Sequence, residues 1–316
     1  MEHESMVDIM MPVYNQERFI AQTIESIISQ KTTFRYRLLI GEDCSKDSSR
    51  SIIKKYAALY PEKIFPIYNE VNLGSNGNSS NIYLSVTAKY IALCEGDDFW
   101  VDDHKLQKQV DFMEGHPDFS ACFSNVEIVD ELNTNLPIFP PFTKEVYEIQ
   151  DFINSEMNIV PTPSLLFRNV LPRPLPHFYN IALGGDMITQ LLLADKGKLK
   201  FMDEKLAAYR NHSGGMSKSK ENLEKSEMAL KKAYMELNTY FDFRYDKFFR
   251  QRFLSMAKKN LIYVSKGKKG IEKLKHYFRA MPEYMKYSDK INFKELGYYH
   301  IVLFAPFLLR KKQSTQ

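Results

Sequence analysis

The first hundred residues predict an α/β fold in which a mostly parallel sheet lies between helices. Short apolar runs alternate with stretches whose apolar residues recur at helical spacing. Each short run ends at a proline or a polar segment, which is typical of buried strands. Repeated strand–helix–strand units bring the carboxyl ends of the strands to one edge of the sheet, where ligands bind.

Four buried strands and two helices follow directly from this pattern. The strands are predicted over Val7–Met11, Leu38–Ile40, Ile64–Tyr68 and Tyr90–Leu93. Apolar residues within 19–28 recur at helical spacing and predict the first helix. The second helix carries the apolar residues of 52–59, and we expect Ser45 or Asp47 to cap it and Pro61 to end it.

After the third strand the pattern becomes mixed. A turn-rich segment, 69–78, precedes a helix that we expect to reach about Thr87. Gly184 and Gly185 then form a loop that leads into a helix with Asp186 in its first turn. Between them the sequence predicts a helix over Lys105–Gly115, strands over Phe119–Phe123 and Pro161–Phe167, and a loop over Asn133–Pro141.

Charge and helix propensity divide the chain near residue 220. Residues 244–316 hold 18 Lys and Arg against 5 Asp and Glu, although the net charge of the whole chain is only +4. From Lys220 onward helix formers predominate with little turn punctuation. We therefore predict an α/β domain over 1–219 and a basic helical C-terminal extension over 220–316.

Composition favours a cytoplasmic, globular protein. Apolar residues make up 44% and charged residues 26% of the chain, and three cysteines without paired short spacing favour a reducing compartment. The N-terminal residues are acidic where a signal peptide is basic, so we expect no secretion signal. The longest apolar run of the extension, Ile301–Leu309, is about half the ~20 residues that a membrane span needs.

Polar residues gather at the ends of three predicted strands. These segments are Pro12–Asn15, Glu42–Asp43 and Glu95–Asp98. Five carboxylates are thus expected at one edge, where they repel one another unless a cation lies among them. Hard oxygen ligands without thiolates favour Mg²⁺ or Mn²⁺. A solvated acidic turn is the alternative for Glu95–Asp98 taken alone.

Glycine-rich phosphate loops are absent from the sequence. There is no G-x-G-x-x-G after the first strand, no G-x-x-x-x-G-K-[ST] and no G-x-S-x-G. Dinucleotide redox chemistry, P-loop hydrolysis and serine hydrolysis are therefore disfavoured. A sheet that binds phosphates through a metal indicates a nucleoside diphosphate, whose leaving charge the metal neutralises.

Roughly residues 5 to 215 resemble a family 2 glycosyltransferase with the GT-A nucleotide-diphospho-sugar transferase fold. Four family-like motifs occur in order: P-x-Y-N at Pro12–Asn15, D-D-G-S-x-D at Glu42–Asp47, N-x-G at Asn72–Gly74 and D-x-D-D at Glu95–Asp98. Glu42 and Glu95 stand where Asp is more usual, and Cys44 replaces the common Gly. The resemblance implies inverting transfer from a nucleotide-sugar donor. One sugar is expected per encounter, because the Q-x-x-R-W signature of processive synthases is absent.

The resemblance also implies roles for individual residues. The donor-binding residues would be Pro12, Tyr14, Asn15, Glu42, Asp43, Asn72, Glu95 and Asp97, and the metal ligands Asp97, Asp98 and His212. The roles within the acidic motif are not separated by the sequence. Asp43 can accept the imide N–H of uracil, which favours a UDP-sugar. Tyr14 would stack on the base, with a buried core tyrosine as the alternative.

Three further residues carry paired interpretations. Asp186 matches the catalytic base of the family, which takes the proton of the acceptor hydroxyl, and a helix N-cap is the alternative. His212 resembles part of a loop that closes over the diphosphate and metal, and a surface histidine is the alternative. Trp100 is expected either to stack on a sugar or to pack in the core.

The basic extension predicts a membrane partner. Residues 298–304, followed by Arg310–Lys312, form an amphipathic segment suited to anionic lipid at the inner face of the cell membrane. A glycan or lipid-linked acceptor in cell-surface polysaccharide biosynthesis is therefore expected, with a helical cap or dimer contact as the alternative role of 244–316. No nucleic-acid recognition motif is present. A nucleotidyltransferase and an inactive nucleotide-sugar-binding module remain alternative functions.

Overall fold

The computed structural model describes residues 5–136, 142–155, 158–181, 185–214, 223–261 and 270–288. The chain divides into two compact units, residues 1–233 and 234–316. The predicted boundary between an α/β domain, 1–219, and a helical extension, 220–316, stays a prediction. Each unit is described by itself below.

The first half of the sheet is parallel, and the four predicted strands are confirmed. They are β1 (Val7–Val13), β2 (Tyr36–Glu42), β3 (Ile64–Tyr68) and β4 (Tyr90–Leu93). They pair in the order β3-β2-β1-β4, and every pairing is parallel. The connecting helices are α1 (Ile20–Ile28), α2 (Ser49–Leu59) and α3 (Gly74–Leu84).

Helices cover both faces of this half-sheet. Ile20, Ile24 and Ile27 of α1 are fully buried against alternate side chains of β1 and β2. On the opposite face α3 packs directly on β2 at Gly41, where an added Cβ would lie 2.5 Å from the Ile82 side chain. Because glycine has no side chain there, α3 approaches the sheet closely enough to bring its N-terminus to the carboxyl edge.

The second half of the sheet is mixed. Its strands are β5 (Phe99–Trp100), β6 (Phe119–Val129), β7 (Val146–Tyr147), β8 (Leu166–Arg168) and β9 (Lys198–Arg210). The sheet continues β4-β8-β6-β9-β5, and β7 pairs with β9. Only β6 and β9 are parallel, whereas β8, β5 and β7 pair antiparallel. The helices of this half are α4 (Lys105–Gly115), α5 (Ile149–Asn154) and α6 (Gly185–Lys196).

Several predicted boundaries are corrected. The strand predicted over Pro161–Phe167 is wrong at its start, where residues Thr162–Ser164 form a 3₁₀ turn and β8 begins only at Leu166. The two prolines of this segment lack the N–H that a ladder needs. The third helix begins inside the predicted turn segment and ends at Leu84, before Thr87. Residues 137–141 of the predicted loop and Gly184 lie outside the described residues.

The prediction that Ser45 or Asp47 is the cap of α2 is wrong, because the N-cap residue is Ser48. The Asp47 carboxylate accepts the N–H of Ser49, the first residue of α2, at 2.9 Å. Ser45 does not cap the helix, because its hydroxyl oxygen accepts the Asn15 N–H at 3.0 Å instead. Asp47 is therefore the residue that supports the start of α2.

Strand β9 is the longest strand described, and the sequence did not predict it. Its pairing with β6 shifts register where Ser124, Asn125 and Val126 meet Met202 and the residues after it. Exposed charged residues at 203–205 occupy this irregular stretch and interrupt the alternation of apolar and polar positions. The bulge thus hides the strand from a pattern-based reading.

The described C-terminal helices are α7 (Leu223–Tyr240), α8 (Asp246–Lys259) and α9 (Gly270–Tyr287). Helix α8 packs against α9, with the rings of Phe253 and Tyr287 5.1 Å apart. No helix in the described part of the chain is both long and apolar enough to cross a bilayer. Ile262, residues 298–304 and Arg310–Lys312 lie outside the described residues, so membrane contact stays a prediction.

Candidate active site

The carboxyl ends of β1, β2 and β4 meet at one edge of the sheet, as predicted. The Asp43 N–H donates to the Val13 carbonyl at 3.0 Å, and the Gly96 N–H donates to the Pro12 carbonyl at 3.3 Å. The end of β1 is therefore flanked by both acidic segments. The strand order reverses at β1, and open α/β sheets bind ligands at such a point.

Three acidic side chains form a cluster at the end of β4. One carboxylate oxygen from each of Glu95, Asp97 and Asp98 lies within 4.8 Å of the others. We call these residues the acidic cluster. The expectation that all five strand-end carboxylates converge is wrong, because Glu42 and Asp43 bind other groups of the described chain.

Glu42 is enclosed by the loop that follows β2. Its side chain is 0% exposed and forms an ion pair with Arg50. Its other carboxylate oxygen accepts the Ser45 N–H at 2.6 Å. This position corrects the expectation that the Glu42 carboxylate faces the donor, since both oxygens organise the protein's own loop.

Asp43 supports the start of α3. Its carboxylate accepts the N–H groups of Leu73 at 2.8 Å and Gly74 at 3.0 Å, and a side-chain N–H of Asn69 at 2.8 Å. The Asn72 side chain donates to the Asp43 carbonyl at 3.1 Å. Asp43 is 2% exposed, and these three hydrogen bonds occupy three of the about four acceptor positions of a carboxylate.

The loop after β1 presents one aromatic ring and one structural amide. Tyr14 is 41% exposed, so the alternative of a buried core tyrosine is wrong. Asn15 adopts a φ of 54°, and its side-chain oxygen accepts the Lys46 N–H at 2.8 Å. Asn15 thereby ties the β1 loop to the β2 loop, and the half-buried Pro12 lies within β1.

Asp98 is the buried member of the acidic cluster. One of its oxygens accepts the Arg210 N–H at 2.8 Å, whereas Oδ2 is buried without a hydrogen-bond partner in the described part of the chain. Burial, and then repulsion from Asp97 and Glu95, raises the pKa of Asp98 well above its ordinary value. Desolvation of the carboxylate, followed by repulsion from Asp97 and Asp186, raises the pKa of Glu95 to about 8.

These features fit a divalent cation. Three oxygen donors lie close together, one buried oxygen lacks a partner, and no cysteine belongs to the cluster. A cation would relieve the repulsion that opposes ionisation of Glu95 and Asp98. The donor set suits Mg²⁺ or Mn²⁺, which prefer carboxylate oxygens.

His212 lies beside the acidic cluster. Its Nε2 is 2.9 Å from Asp97 Oδ2, and its ring centroid is 5.0 Å from that of Phe19. The next residue, Ser213, donates its N–H and its hydroxyl to Glu131, which also pairs with Arg18 at 2.8 Å. The contact with Phe19 and the hydrogen bonds between Ser213 and Glu131 thus hold the imidazole against Asp97. This arrangement argues against an unconstrained surface histidine.

Arg210, at the end of β9, forms hydrogen bonds with residues around the acidic cluster. Its guanidinium donates to the Asp97 carbonyl at 2.9 Å, to Asn133 Oδ1 at 2.7 Å and to Gln22 Oε1 at 2.7 Å. Arg210 is buried and places a positive charge next to the acidic cluster. It connects the acidic turn with the loop that follows β6.

Asp186 is the second residue of α6, so it is not the N-cap residue of that helix. Its carboxylate accepts a hydrogen bond from Asn158. Burial raises the pKa of Asp186, and backbone N–H groups at the helix start together with Asn158 oppose that rise. Repulsion from Asp186 contributes to the raised pKa of Glu95, so the charge of the predicted base acts on the acidic cluster.

Trp100 packs in the core, and the expectation that it stacks on a sugar is wrong. The residue is 4% exposed. Its indole N–H donates to the Pro163 carbonyl at 2.9 Å, and the Lys105 ammonium lies 4.3 Å from the ring centroid. The ring therefore has protein neighbours on its edge and its face.

Sequence reasoning missed several polar residues of this pocket. Asn76, Glu131, Asn158 and Gln190 lie in segments whose pattern carries no sign of a site. Arg210 could have been found, because it is a charged residue that directly precedes the His212 loop. Contacts between distant segments define the others, and a single sequence does not contain that information.

The topology and the strand-end site define a GT-A nucleotide-diphospho-sugar transferase fold. The solved structure of S. aureus TarS 1-349 in complex with UDP-GlcNAc superimposes with a TM-score of 0.64 at 14% identity, over 89% of this chain and 81% of that one. The family model described as Glycosyl transferase family 2 matches residues 8–172. The chain therefore belongs to glycosyl transferase family 2.

Curated relatives match part of this chain. An uncharacterized protein of Mycobacterium tuberculosis, Rv1520, is 31% identical over 206 residues, which cover 64% of this chain and 58% of the relative. This chain thus spans little more than half of that relative's length. The E. coli protein WfgD, named UDP-Glc:alpha-D-GlcNAc-diphosphoundecaprenol beta-1,3-glucosyltransferase, is 29% identical over 125 residues, 40% of this chain and 47% of WfgD.

Proposed function

We propose that this chain transfers one sugar from a UDP-sugar to a hydroxyl group of a glycan or lipid-linked acceptor, with inversion at the anomeric carbon. The role that we infer is cell-surface polysaccharide biosynthesis at the cytoplasmic face of the membrane. The domain 1–219 would carry the reaction, and the basic region 244–316 would contact anionic lipid.

One observation carries the proposal: the charge of a candidate base acts on a cluster of three carboxylates that is suited to a cation. The oxygens of Glu95, Asp97 and Asp98 lie within 4.8 Å of one another, and repulsion from Asp186 contributes to the raised pKa of Glu95. Inverting transfer needs a base beside the acceptor hydroxyl and positive charge beside the leaving diphosphate. Asp186 would meet the first requirement, and a cation held by the acidic cluster would meet the second.

On the donor side, Asp97, Asp98 and His212 would hold a divalent cation, and Glu95 would face the ribose. The cation supplies neutralisation of the charge that develops on the leaving diphosphate. The exposed ring of Tyr14 suits stacking on the base. The remaining acceptor position of Asp43 suits the imide N–H of uracil.

On the acceptor side, Asp186 takes the proton of the acceptor hydroxyl as that oxygen bonds to the anomeric carbon. The bond between the anomeric carbon and the diphosphate oxygen breaks on the opposite face of the sugar. A positioned base contributes about 10²- to 10⁴-fold to such a step.

The names of similar proteins support these substrate classes. WfgD is named for UDP-glucose and for an N-acetylglucosamine linked to diphosphoundecaprenol, and TarS was solved with UDP-GlcNAc. We infer the same classes, a UDP-sugar and a lipid-linked glycan, for this chain.

Calorimetry with UDP and UDP release from a panel of UDP-sugars, each with Mn²⁺ or Mg²⁺, test the proposal. We expect metal-dependent UDP binding and UDP release that rises when an acceptor is present. Binding without turnover of any sugar would favour an inactive nucleotide-sugar-binding module. Release of pyrophosphate from a nucleoside triphosphate and a sugar phosphate would indicate a nucleotidyltransferase.

Sedimentation with anionic vesicles tests the membrane contact separately. We expect the full chain to bind vesicles that contain phosphatidylglycerol at low salt and to dissociate as salt screens the charges. Absence of binding at low salt would remove the membrane role of 244–316 and leave the transfer reaction unaffected.

A further inference from the structure

A chain of two side-chain amides leads to the Asp186 carboxylate. Asn158 donates from Nδ2 to Asp186 Oδ2, and Gln190 donates from Nε2 to Asn158 Oδ1. Gln190 follows Asp186 by four residues in α6, so the two side chains lie on one face of the helix. We call the sequence Gln190–Asn158–Asp186 the amide chain.

The far end of the amide chain determines its direction. Gln190 is buried, and its Nε2 also approaches the Val160 carbonyl at 3.5 Å. A carbonyl can only accept, so the nitrogen of Gln190 faces Val160 and Asn158. Asn158 must then turn its oxygen toward Gln190 and its nitrogen toward Asp186.

The backbone at the start of α6 is held separately, by α3. The Gly185 N–H donates to Asn76 Oδ1 at 3.0 Å, and Asn76 Nδ2 donates to the Tyr179 carbonyl at 3.0 Å. An added Cβ at Gly185 would lie 2.6 Å from the Tyr179 hydroxyl oxygen, so the helix start packs directly on that ring. Because these contacts hold the backbone, Asp186 can still rotate only about its side-chain torsions. The hydrogen bond from Asn158 restricts that rotation.

The amide chain also acts on the charge of the base. An N–H that donates to a carboxylate favours the ionised form. Burial acts in the opposite direction and raises the pKa of Asp186. The Asn158 hydrogen bond therefore offsets part of the effect of burial at the atom that must accept a proton.

We propose that Asn158, oriented by Gln190, is a positioning residue for the transfer reaction, holding the Asp186 carboxylate toward the acceptor hydroxyl as an anion. This inference rests on the proposed role of Asp186 as the base. Asn158 itself forms no bond to the reacting atoms, so its loss should change the rate and its pH dependence, and not donor binding.

Two variants test the amide chain from its two ends. Asn158→Ala removes the hydrogen bond to Asp186. Gln190→Glu keeps the size of the side chain, but its carboxylate attracts the nitrogen of Asn158 and turns the Asn158 oxygen toward Asp186. Asn154→Ala, at the exposed end of α5, is the matched control.

We expect both variants to lower kcat roughly 10- to 100-fold, because misplacement of a reacting group has an effect of that size. The affinity for UDP with Mn²⁺ should stay within about twofold, and the acid limb of the pH profile of kcat should move to higher pH in both variants. The control should match the unmodified protein. Gln190→Glu keeps the test valid if Asn158→Ala does not fold.

A measurement without substrate complements the kinetics. In protein labelled with ¹³C at the aspartate carboxyl groups, the Asp186 resonance is the one missing from Asp186→Asn. Its titration midpoint should rise in Asn158→Ala and Gln190→Glu. An unchanged midpoint, or unchanged rates, in both variants overturns the proposal while an inactive Asp186→Asn keeps the base assignment. A fully active Asp186→Asn overturns the base assignment and this inference together.

Discussion

The two halves of the first unit hold their polar residues in different ways. In the parallel half, the strand ends deliver the acidic segments, and Glu42 and Asp43 bind backbone N–H groups of neighbouring loops. Around Asp186, side-chain amides from distant segments hold the start of α6. The first arrangement follows from regular strand–helix alternation, whereas the second depends on single side-chain contacts.

This difference separates binding from turnover. Substitutions at the strand ends should change the affinity for nucleotide and cation. Substitutions around α6 should change the rate of transfer and leave that affinity unaltered.

The largest effect is expected at Asp186. Asp186→Asn keeps the size of the side chain but removes the proton acceptor, so turnover should fall about 10²- to 10⁴-fold. Affinity for UDP with Mn²⁺, measured by calorimetry, should be unchanged. Asp111→Asn, at an exposed position of α4, is the control. Turnover near that of the unmodified protein would remove Asp186 as the base.

The opposite pattern is expected at the acidic cluster. Asp98→Asn should weaken metal-dependent UDP binding about 10- to 100-fold, because it removes a charged oxygen from the cluster. Without metal, the free energy of unfolding should rise by about 1 kcal/mol, since a buried repulsion is lost. Asp102→Asn, in the separate Asp102–His104 group, is the matched control.

For Asp98→Asn, calorimetry with Mn²⁺ measures the affinity for UDP. Denaturant unfolding in EDTA measures the free energy of unfolding without metal. Equal losses of UDP affinity in Asp98→Asn and in Asp102→Asn would show that the acidic cluster has no special relation to the nucleotide.

A smaller effect is expected from a methyl group at the start of α6. Gly185→Ala places a Cβ 2.5 Å from the Tyr179 ring, so the free energy of unfolding should fall by about 1–3 kcal/mol and turnover should fall with it. Gly115→Ala, where a Cβ meets nothing within 4 Å, should be nearly neutral. Urea unfolding measures both variants, and equal stabilities would contradict close packing at Gly185.

The smallest effect near neutral pH is expected in the acid limb of the pH profile, where kcat falls as pH falls. Burial raises the pKa of Asp186, so its anionic form predominates only above that raised value. As pH falls through it, Asp186 gains a proton and kcat should decline, at a higher pH than for an ordinary aspartate. Rates measured across pH at saturating UDP-sugar and metal test this, and a rate that holds down to the ordinary value of 3.8 would contradict it.

Pattern and composition predicted the parallel half closely. The apolar runs of β1, β2 and β4 are buried on both faces, so their hydrophobicity marks them clearly, whereas the edge strand β3 exposes Phe65 and Tyr68. The same reasoning placed the Glu95–Asp98 segment at the ligand edge. It failed at Glu42, because only the folded loop shows that Arg50 occupies its carboxylate.

In the mixed half, prediction was weaker for a physical reason. Strand β9 carries a bulge with exposed charges, and the indole N–H of Trp100 donates to the carbonyl of Pro163, which follows it by 63 residues. Periodicity reports which residues of one element face the core. It contains no information about which distant segment supplies the other side of a contact.

What the amino-acid sequence determined by itself was the alternation of elements and the acidic strand ends, because hydrophobic burial and strand geometry act locally along the chain. The tertiary structure alone decided which carboxylates meet, how Asp186 is held by Asn158 and Asn76, and why His212 lies against Asp97. Those contacts join segments far apart in sequence, and only the packed chain brings them within hydrogen-bonding distance.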